Sequence, residues 1–326
     1  MRTIRILFCV FFATIAWAPR AHAVRTAIFP DDIRNRAVVW ADQDKLFSTE
    51  TDADRVRPIW VHAGDSISTG WASGSLLYEQ LKRAEQIELP QPGSVEDIFA
   101  NVPQPKVTWY AGSEVDHGGV FGFLERNTSQ PWVLISTALA GAMLSQLDSN
   151  PLRLPLEVKN PSRVKVVTFS LGGNDICWLK DPYENPLTNP ETNIKAMKDY
   201  FGPQTKIFAL AVPPVNFVYT KIRNRIAALP DTIGARRLGA YCQQAWENVN
   251  CPNAVIDATA RVEELRARIH KTYYDSGVEI IDTNSATAGV DILDLLAGDC
   301  FHPSRSAQRL IYQETVRHLA PFLDHQ

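Results

Sequence analysis

Val164-Lys-Val-Val-Thr-Phe-Ser-Leu171 is a β-branched, apolar run that leads directly into Gly172-Gly-Asn-Asp175. A run of this kind that ends abruptly at glycine is typical of a buried strand in a parallel sheet. Pro58-Ile-Trp-Val-His-Ala63 has the same character and leads into Gly64-Asp-Ser66. Ligands of open α/β sheets bind beyond the carboxyl ends of the strands, so we expect both polar turns to lie at that edge.

Other segments complete an alternation of strands and helices. The apolar run Thr205–Val212 predicts a strand that stops at Pro213, which has no backbone N–H for a ladder. Weaker strand candidates are Lys106–Tyr110, Val133–Ser136 and Val278–Asp282. Helical spacing relates Val262, Leu265, Ile269 and Tyr273, and Ser304 is placed to cap a final helix with Leu310 and Ile311 on its apolar side. This alternation predicts an α/β domain with helices on both faces of the sheet.

The first 23 residues have the composition of a secretion signal. Two arginines precede an apolar run from Ile6 to Ala18, and Ala21-His-Ala23 has the small-x-small pattern that signal peptidase cleaves. The apolar run is too short to span a bilayer comfortably, which argues against a retained anchor. We therefore expect residues 1–23 to be removed. Residues 24–326 contain no evident linker or repeat and are expected to form one secreted or periplasmic domain, a monomer with no integral membrane segment.

Charge and cysteine content narrow the possible partners. Three of the 33 basic residues lie in the signal, so 30 basic residues face 36 acidic ones in the mature chain. This balance gives no electrostatic reason to expect a nucleic acid partner. Four cysteines remain after the signal, an even number that favours disulfides in an exported chain, and the absence of a Cys-x-x-Cys spacing argues against zinc.

Sequence alone permits three connectivities of these four cysteines. Cys242 and Cys251 are close enough in sequence to close a short local loop, which leaves Cys177 to pair with Cys300. We predict this pairing because it ties together two of the polar segments that carry candidate site residues.

Three polar segments supply the side chains for acyl transfer. A serine hydroxyl is a weak nucleophile until a base removes its proton, so Ser66 requires a histidine, and His302 is the candidate. Asp299, three residues earlier, is placed to orient the imidazole. Asn174, with the backbone N–H groups of Ser66 and Gly141, is the predicted set of donors for the oxyanion.

Each of these motifs also has an ordinary structural interpretation. Gly-Asp-Ser and Gly-Asn-Asp are common turns, and an Asp-x-x-His pair can cap a helix. Asp65 and Asp175 are interpreted as structural residues that bond the backbone of their own turns. His62 lies inside a predicted strand and is expected to be a packed side chain, and His117 lies in a glycine-rich loop without a partner nucleophile. Trp71 and Trp109 are candidates for a substrate wall.

Four segments together resemble the conserved blocks of the SGNH, or GDSL, hydrolase family. In chain order they are Gly64-Asp-Ser-Ile-Ser68, Ala138-Leu-Ala-Gly-Ala142, Leu171-Gly-Gly-Asn-Asp-Ile-Cys177 and Asp299-Cys-Phe-His-Pro-Ser304. Ile67 replaces the leucine of the family name, and the glycine block is the loosest match. The two cysteine-bearing blocks are similar to the phospholipase B branch, whose members cleave acyl chains from phospholipids and lysophospholipids.

The resemblance implies a three-layer α/β/α sandwich, flavodoxin-like, with a central parallel sheet of about five strands. It also implies that Ser66, Gly141, Asn174 and His302 take the four name-giving roles, that Asp299 completes the triad, and that no metal or organic cofactor takes part. The predicted function is therefore a secreted serine esterase acting on lipid or other acyl esters, specifically a phospholipase or lysophospholipase. The alternatives are a carbohydrate acetyl esterase of the same fold and a non-catalytic binder of acylated ligands.

Overall fold

The computed structural model describes most of the chain from residue 50 onward. The described residues are 27–28, 48, 50–52 and 54–323, with gaps at 71, 75, 93, 95–107, 112–118, 129–130, 139, 145–157, 185–188 and 256–258. The predicted signal therefore lies outside the described residues, as do Trp71 and His117. Among the helices that are described, none is both long enough and apolar enough to cross a membrane.

In the described part of the chain, six parallel strands form one sheet in the order β1-β3-β2-β4-β5-β6. They are β1 (Ala27–Ile28), β2 (Ile59–Gly64), β3 (Val133–Ser136), β4 (Val164–Ser170), β5 (Lys206–Leu210) and β6 (Glu279–Ile281). The strands that carry the polar turns, β2 and β4, are neighbours at the centre, with Gly64 opposite Ser170. The predicted parallel sheet is confirmed, and the two-residue β1 is added at its edge.

The helices alternate with these strands. They are α1 (Ser66–Thr69), α2 (Leu77–Gln86), α3 (Gly119–Asn127), α4 (Gly173–Trp178), α5 (Pro190–Phe201), α6 (Val215–Ala227), α7 (Ile233–Ala245), α8 (Pro252–Val255), α9 (Thr259–Asp275), α10 (Thr283–Ala286), α11 (Ile292–Leu295) and α12 (Arg305–Leu323). A π-helical turn, Trp246–Asn250, continues α7. The four apolar residues that predicted α9 are buried within it, and Ser304 Oγ accepts a hydrogen bond of 3.3 Å from the Ala307 N–H to cap α12.

Alternate residues of the strands enter two separate apolar layers because successive side chains of a strand point to opposite faces. Ile59, Val61 and Ala63 of β2 belong to the first layer, which α2, α5, α7 and α9 cover. Trp60 belongs to the second layer, where residues of α3 and α12 pack. The three-layer α/β/α sandwich is therefore confirmed.

The weak strand prediction for Lys106–Tyr110 is wrong in its described part. Thr108–Tyr110 forms a turn, because its backbone groups are used elsewhere. The Trp109 N–H donates to Gln308 Oε1 at 3.0 Å, and the Trp109 carbonyl accepts from Val120 at the start of α3. The Trp109 side chain is fully buried in the second layer, so it is a core residue and does not form a substrate wall.

His62 is part of a buried polar network in the same layer. Its Nδ1 lies 2.8 Å from Thr168 Oγ1, which also accepts a hydrogen bond of 2.9 Å from Trp60 Nε1. Burial lowers the pKa of His62 to about 3, despite an opposing hydrogen bond with Thr168, so the imidazole is neutral near neutral pH. His62 is a packed side chain, as the sequence interpretation expected.

We predict that Thr168→Val lowers the free energy of unfolding by about 1–3 kcal/mol, because Trp60 Nε1 and His62 lose their buried partner. Urea denaturation measures this change. Thr315→Val is the matched control, since the buried Thr315 hydroxyl bonds only the Ile311 carbonyl of its own helix among the described residues. Equal losses in the two variants would contradict the prediction.

Candidate active site

The turn after β2 places Ser66 at the carboxyl edge of the sheet. Gly64 is required there, because a Cβ at this position would lie 2.1 Å from Ser68 Oγ and 2.9 Å from His62 Nε2. The Asp65 carboxyl accepts a hydrogen bond of 2.9 Å from the Ile67 N–H and so caps α1, which begins at Ser66. The nucleophile candidate is thus fixed by a tight strand-to-helix turn.

The structure brings Ser66, His302 and Asp299 into one hydrogen-bonded relay. His302 Nε2 lies 2.8 Å from Ser66 Oγ, and His302 Nδ1 lies 2.6 Å from Asp299 Oδ2. The other carboxylate oxygen of Asp299 accepts the backbone N–H groups of Phe301 at 3.1 Å and His302 at 3.0 Å. All three relay side chains are largely buried, so water competes little for these bonds.

The charge state of Asp299 suits an orienting role. Burial acts to raise the pKa of Asp299, but the charge of His302 and the hydrogen bonds from His302 and Phe301 outweigh it. The pKa of Asp299 is therefore held below its ordinary value. The carboxylate stays charged at neutral pH and can stabilise a proton on the imidazole.

Asn174 lies in the first turn of α4, beside the loop that carries Gly141. Asn174 Nδ2 donates to the Ala142 carbonyl at 2.9 Å, and Asp175 Oδ2 accepts the Leu144 N–H at 2.6 Å. These two bonds hold the loop at Ala142 and at Leu144, on either side of Met143. Gly141, with a φ of 80°, has the left-handed backbone that favours glycine. Asp175 is therefore a structural residue that bonds a distant loop, a contact that the sequence interpretation did not include.

A second carboxyl, Asp65, lies buried directly before Ser66. Burial raises the pKa of Asp65 to about 7, and the neighbouring charge of Asp175 acts in the same direction. The Ile67 N–H and the charge of His302 oppose this rise. Asp65 therefore titrates near neutral pH, next to the relay.

The four cysteines among the described residues form two disulfides, but the predicted pairing is wrong. Cys177 pairs with Cys251, and Cys242 pairs with Cys300. Cys242 cannot meet Cys251, because α7 and its π-helical turn run without a break between them and nine helical residues span about 13 Å. Helix α4, which carries Asn174, and the loop that carries Cys300 are therefore each tied to one end of the same helical segment.

The π-helical turn between Cys242 and Cys251 holds residues 299–302, here called the acid–base loop, through contacts that the sequence did not reveal. Trp246 Nε1 donates to the Cys300 carbonyl at 2.8 Å, and Asn250 Nδ2 reaches the Asp299 carbonyl at 3.5 Å. Cys300 has a φ of 65°, a left-handed conformation that is uncommon outside glycine. The sequence signal that points to this turn is its position between Cys242 and Cys251, which bond to the loop of Cys300 and to helix α4.

An apolar cavity of about 160 Å³ opens beside the relay. Asp65, Gly173 and His302 line it on the side of the relay. The remaining wall is mostly aliphatic and comes from the end of β5 and from α6, α10, α11 and α12, including Leu210, Val212, Val215, Val218, Ile292, Leu295, Leu296 and Ile311. Among the described residues no group of three His, Cys, Asp or Glu side chains is arranged to hold a metal ion.

Comparisons with known proteins bear on the family of this chain. A family profile described as GDSL-like Lipase/Acylhydrolase matches residues 61–315. No curated protein matches the chain. Among solved structures, it is similar to the psychrotrophic esterase EstA from a Pseudoalteromonas species, at 16% identity and a TM-score of 0.41, covering 82% of this chain and 98% of that chain.

Two further solved structures show a comparable likeness. Phospholipase A1 from Streptomyces albidoflavus has 16% identity and a TM-score of 0.40, with 80% of this chain and 99% of that chain covered. Axe2, an acetylxylan esterase from Geobacillus stearothermophilus, has 12% identity and a TM-score of 0.40, with 81% of this chain and 96% of that chain covered.

We predict that Asp65→Asn raises the free energy of unfolding at pH 8 and leaves it nearly unchanged at pH 4. The folded chain keeps the Asp65 proton up to about pH 7, whereas the unfolded chain loses it near the ordinary aspartate pKa of 3.8. In the wild-type protein, the contribution of Asp65 to the free energy of unfolding therefore falls as the pH rises from 4 to 7, by at most about 4 kcal/mol. Urea denaturation at several pH values measures the difference.

Asp291→Asn is the control for this pH dependence. Asp291 also caps a helix, but hydrogen bonds from Leu293 and Arg225 outweigh its slight burial and hold the pKa of Asp291 below its ordinary value. The contribution of Asp291 to the free energy of unfolding is lost as the pH falls. The pH dependence therefore has the opposite sign to that of Asp65. Parallel stability curves for wild type and Asp65→Asn would contradict the prediction.

We also predict that the two disulfides differ in their effect on catalysis. Replacing either pair by serine lowers the free energy of unfolding by about 2–4 kcal/mol. Loss of Cys242–Cys300 additionally lowers kcat by about tenfold or more, because Cys300 lies between Asp299 and His302 and misplacement of a base is costly. Loss of Cys177–Cys251, the matched control, changes kcat less. Equal kcat values for both folded variants, with a simple ester as substrate, would rule out this difference.

Proposed function

Because the chain belongs to the GDSL-like lipase/acylhydrolase family and is thus a hydrolase of ester bonds, we propose that it is a secreted lipolytic serine esterase. Its proposed substrates are phospholipids or lysophospholipids, cleaved through an acyl-enzyme on Ser66. The observation that carries the proposal is the relay of Ser66, His302 and Asp299, in which the His302 side chain lines an apolar cavity.

In the proposed mechanism, His302 Nε2 takes the proton from Ser66 Oγ as the oxygen attacks the acyl carbonyl. The 2.8 Å separation allows this transfer without movement of either side chain. Asp299 holds the imidazole through Nδ1 and stabilises its positive charge. The imidazole then protonates the leaving alcohol, and a water molecule activated by the same nitrogen releases the fatty acid.

The negative oxygen of the tetrahedral intermediate requires donors that are already in place. Asn174 Nδ2 carries two N–H bonds, of which one is used by the Ala142 carbonyl, so the second is proposed to face the oxyanion. The backbone N–H groups of Ser66 and Gly141 are the other proposed donors. The bond between Asn174 and Ala142 supports this role, because it ties the Gly141 loop to the asparagine.

The cavity wall favours an acyl chain over a sugar. A sugar ester requires polar partners for its hydroxyl groups, whereas aliphatic side chains dominate the wall beside His302. The complete relay also argues against a binder without turnover, since such a binder has no need of a buried carboxylate–imidazole pair. The two disulfides support export to an oxidising compartment and hence the proposed signal at residues 1–23.

The test measures fatty acid released from phosphatidylcholine and its lyso form, and acetate released from acetylated xylan fragments. Ser66→Ala and Asp299→Asn are each expected to lower kcat by about 10⁴-fold or more, the first by removing the nucleophile and the second by misorienting His302. Ser68→Ala is the matched control, because the buried Ser68 hydroxyl has no hydrogen-bond partner among the described residues.

The outcomes separate the three functions. Lipid cleavage that depends on Ser66 and Asp299 and survives Ser68→Ala supports the proposal. Cleavage confined to acetyl esters would move the assignment to a carbohydrate esterase. A folded protein with both disulfides intact that cleaves neither class of ester would favour a binding role.

A further inference from the structure

Trp246 stands between two cavities. One is the apolar cavity beside His302, and the other, of about 560 Å³, lies between α6 and α7. Trp246 is the one described residue that lines both of them. Its side chain is almost fully buried, although space lies on either side of it.

The indole ring has a distinct neighbour towards each cavity. Tyr219, which lines the second cavity, lies 5.3 Å from Trp246 between ring centroids. Phe301, which lines the cavity beside His302, lies 4.9 Å away and meets the indole edge to face. A flat ring between these two neighbours acts as a partition.

This partition is held in place. Trp246 Nε1 donates to the Cys300 carbonyl at 2.8 Å, which fixes the ring relative to the acid–base loop. The Cys242–Cys300 disulfide joins α7 to the same loop four residues before Trp246. The ring therefore does not swing aside without breaking a buried hydrogen bond, and such a bond is costly to lose.

The second cavity has both apolar and polar lining residues. Ile222, Ile226 and Leu229 supply aliphatic surface, while Arg223 and Gln243 are exposed at the outer surface. A hydrocarbon chain is the kind of group that fits such a lining. In the structure the indole of Trp246 separates this space from His302.

We propose that Trp246 limits the length of acyl chain that is bound inside the protein, and that its ring keeps the chain out of the cavity between α6 and α7. This specificity role rests on the proposed function, in which the cavity beside His302 holds the acyl chain. Acyl-chain carbons that extend beyond that cavity project into solvent and gain no apolar contact. Each methylene that enters an apolar site contributes about fourfold to binding, so the limit is visible in kinetics.

The first test is the dependence of kcat/KM on chain length for the wild-type protein and for Trp246→Leu, with nitrophenyl esters from butanoyl to dodecanoyl. For the wild type, kcat/KM is expected to rise and then level off. For Trp246→Leu, the ratio of dodecanoyl to butanoyl kcat/KM is expected to increase by about tenfold or more. Trp246→Phe keeps a ring but loses the N–H, so kcat should fall alike for all esters with an unchanged ratio.

The second test fills the cavity between α6 and α7, which Trp246→Leu is expected to connect to the cavity beside His302. Ala240 lines the second cavity and has no part in the relay, so Ala240→Phe alone should leave kcat and the ratio unchanged. Combined with Trp246→Leu, it should return the ratio towards the wild-type value. This reversal distinguishes occupation of the second cavity from a general loosening of the site.

Failure of this role is distinguishable from failure of the proposed function. A wild-type protein that cleaves no ester contradicts the proposed function. An active wild type whose kcat/KM continues to rise about fourfold per methylene up to dodecanoyl overturns the role of Trp246, whether or not the leucine variant folds. An unchanged ratio in a folded Trp246→Leu variant overturns it as well.

Discussion

The backbone hydrogen bond of 3.1 Å from Asp65 to the Ser170 carbonyl joins the ends of the two central strands, and the arrangement of the site depends on it. Because β2 and β4 are parallel and end with Gly64 opposite Ser170, their following turns emerge side by side at one edge. Helix α1 then begins at Ser66 and α4 at Gly173. The nucleophile candidate and the asparagine are therefore neighbours before any side chain takes part.

The acid–base loop is held in another way. Asp299 and His302 lie more than 230 residues after Ser66 in a loop between two helices, and no strand of the sheet contains them. Side-chain contacts and a disulfide from the α7 segment replace the sheet as support. Strand pairing thus positions Ser66 and Asn174, whereas the disulfide and Trp246 position the acid–base loop. The hydrogen bond between Ser66 and His302 joins these two parts of the site.

The sequence predicted the parts of this structure that depend on local pattern. β2, β4 and β5 were predictable because β-branched runs end at glycine or proline, and α9 because its buried residues recur at helical spacing. The turn at Trp109 was not predictable, since Gln308, almost two hundred residues away, takes its backbone N–H. The disulfide pairing failed for a related reason: Cys242 and Cys251 are close in sequence, but an unbroken helical segment holds them apart. The partition formed by Trp246 also depends on how two helices pack, which a pattern in one helix does not encode.

The position of Cys300 ties hydrolytic competence to the oxidation state of the chain. Its left-handed backbone sets the bend between Asp299 and His302, and a sulfur–sulfur bond to α7 holds that bend. A newly made chain with reduced thiols lacks this hold on the loop that carries the base. For a hydrolase of the proposed kind, the consequence is low activity before oxidation. Inside the cell that makes it, the reduced protein would cleave esters poorly until it reaches an oxidising environment. Such protection needs no separate inhibitor, because it is part of the covalent structure.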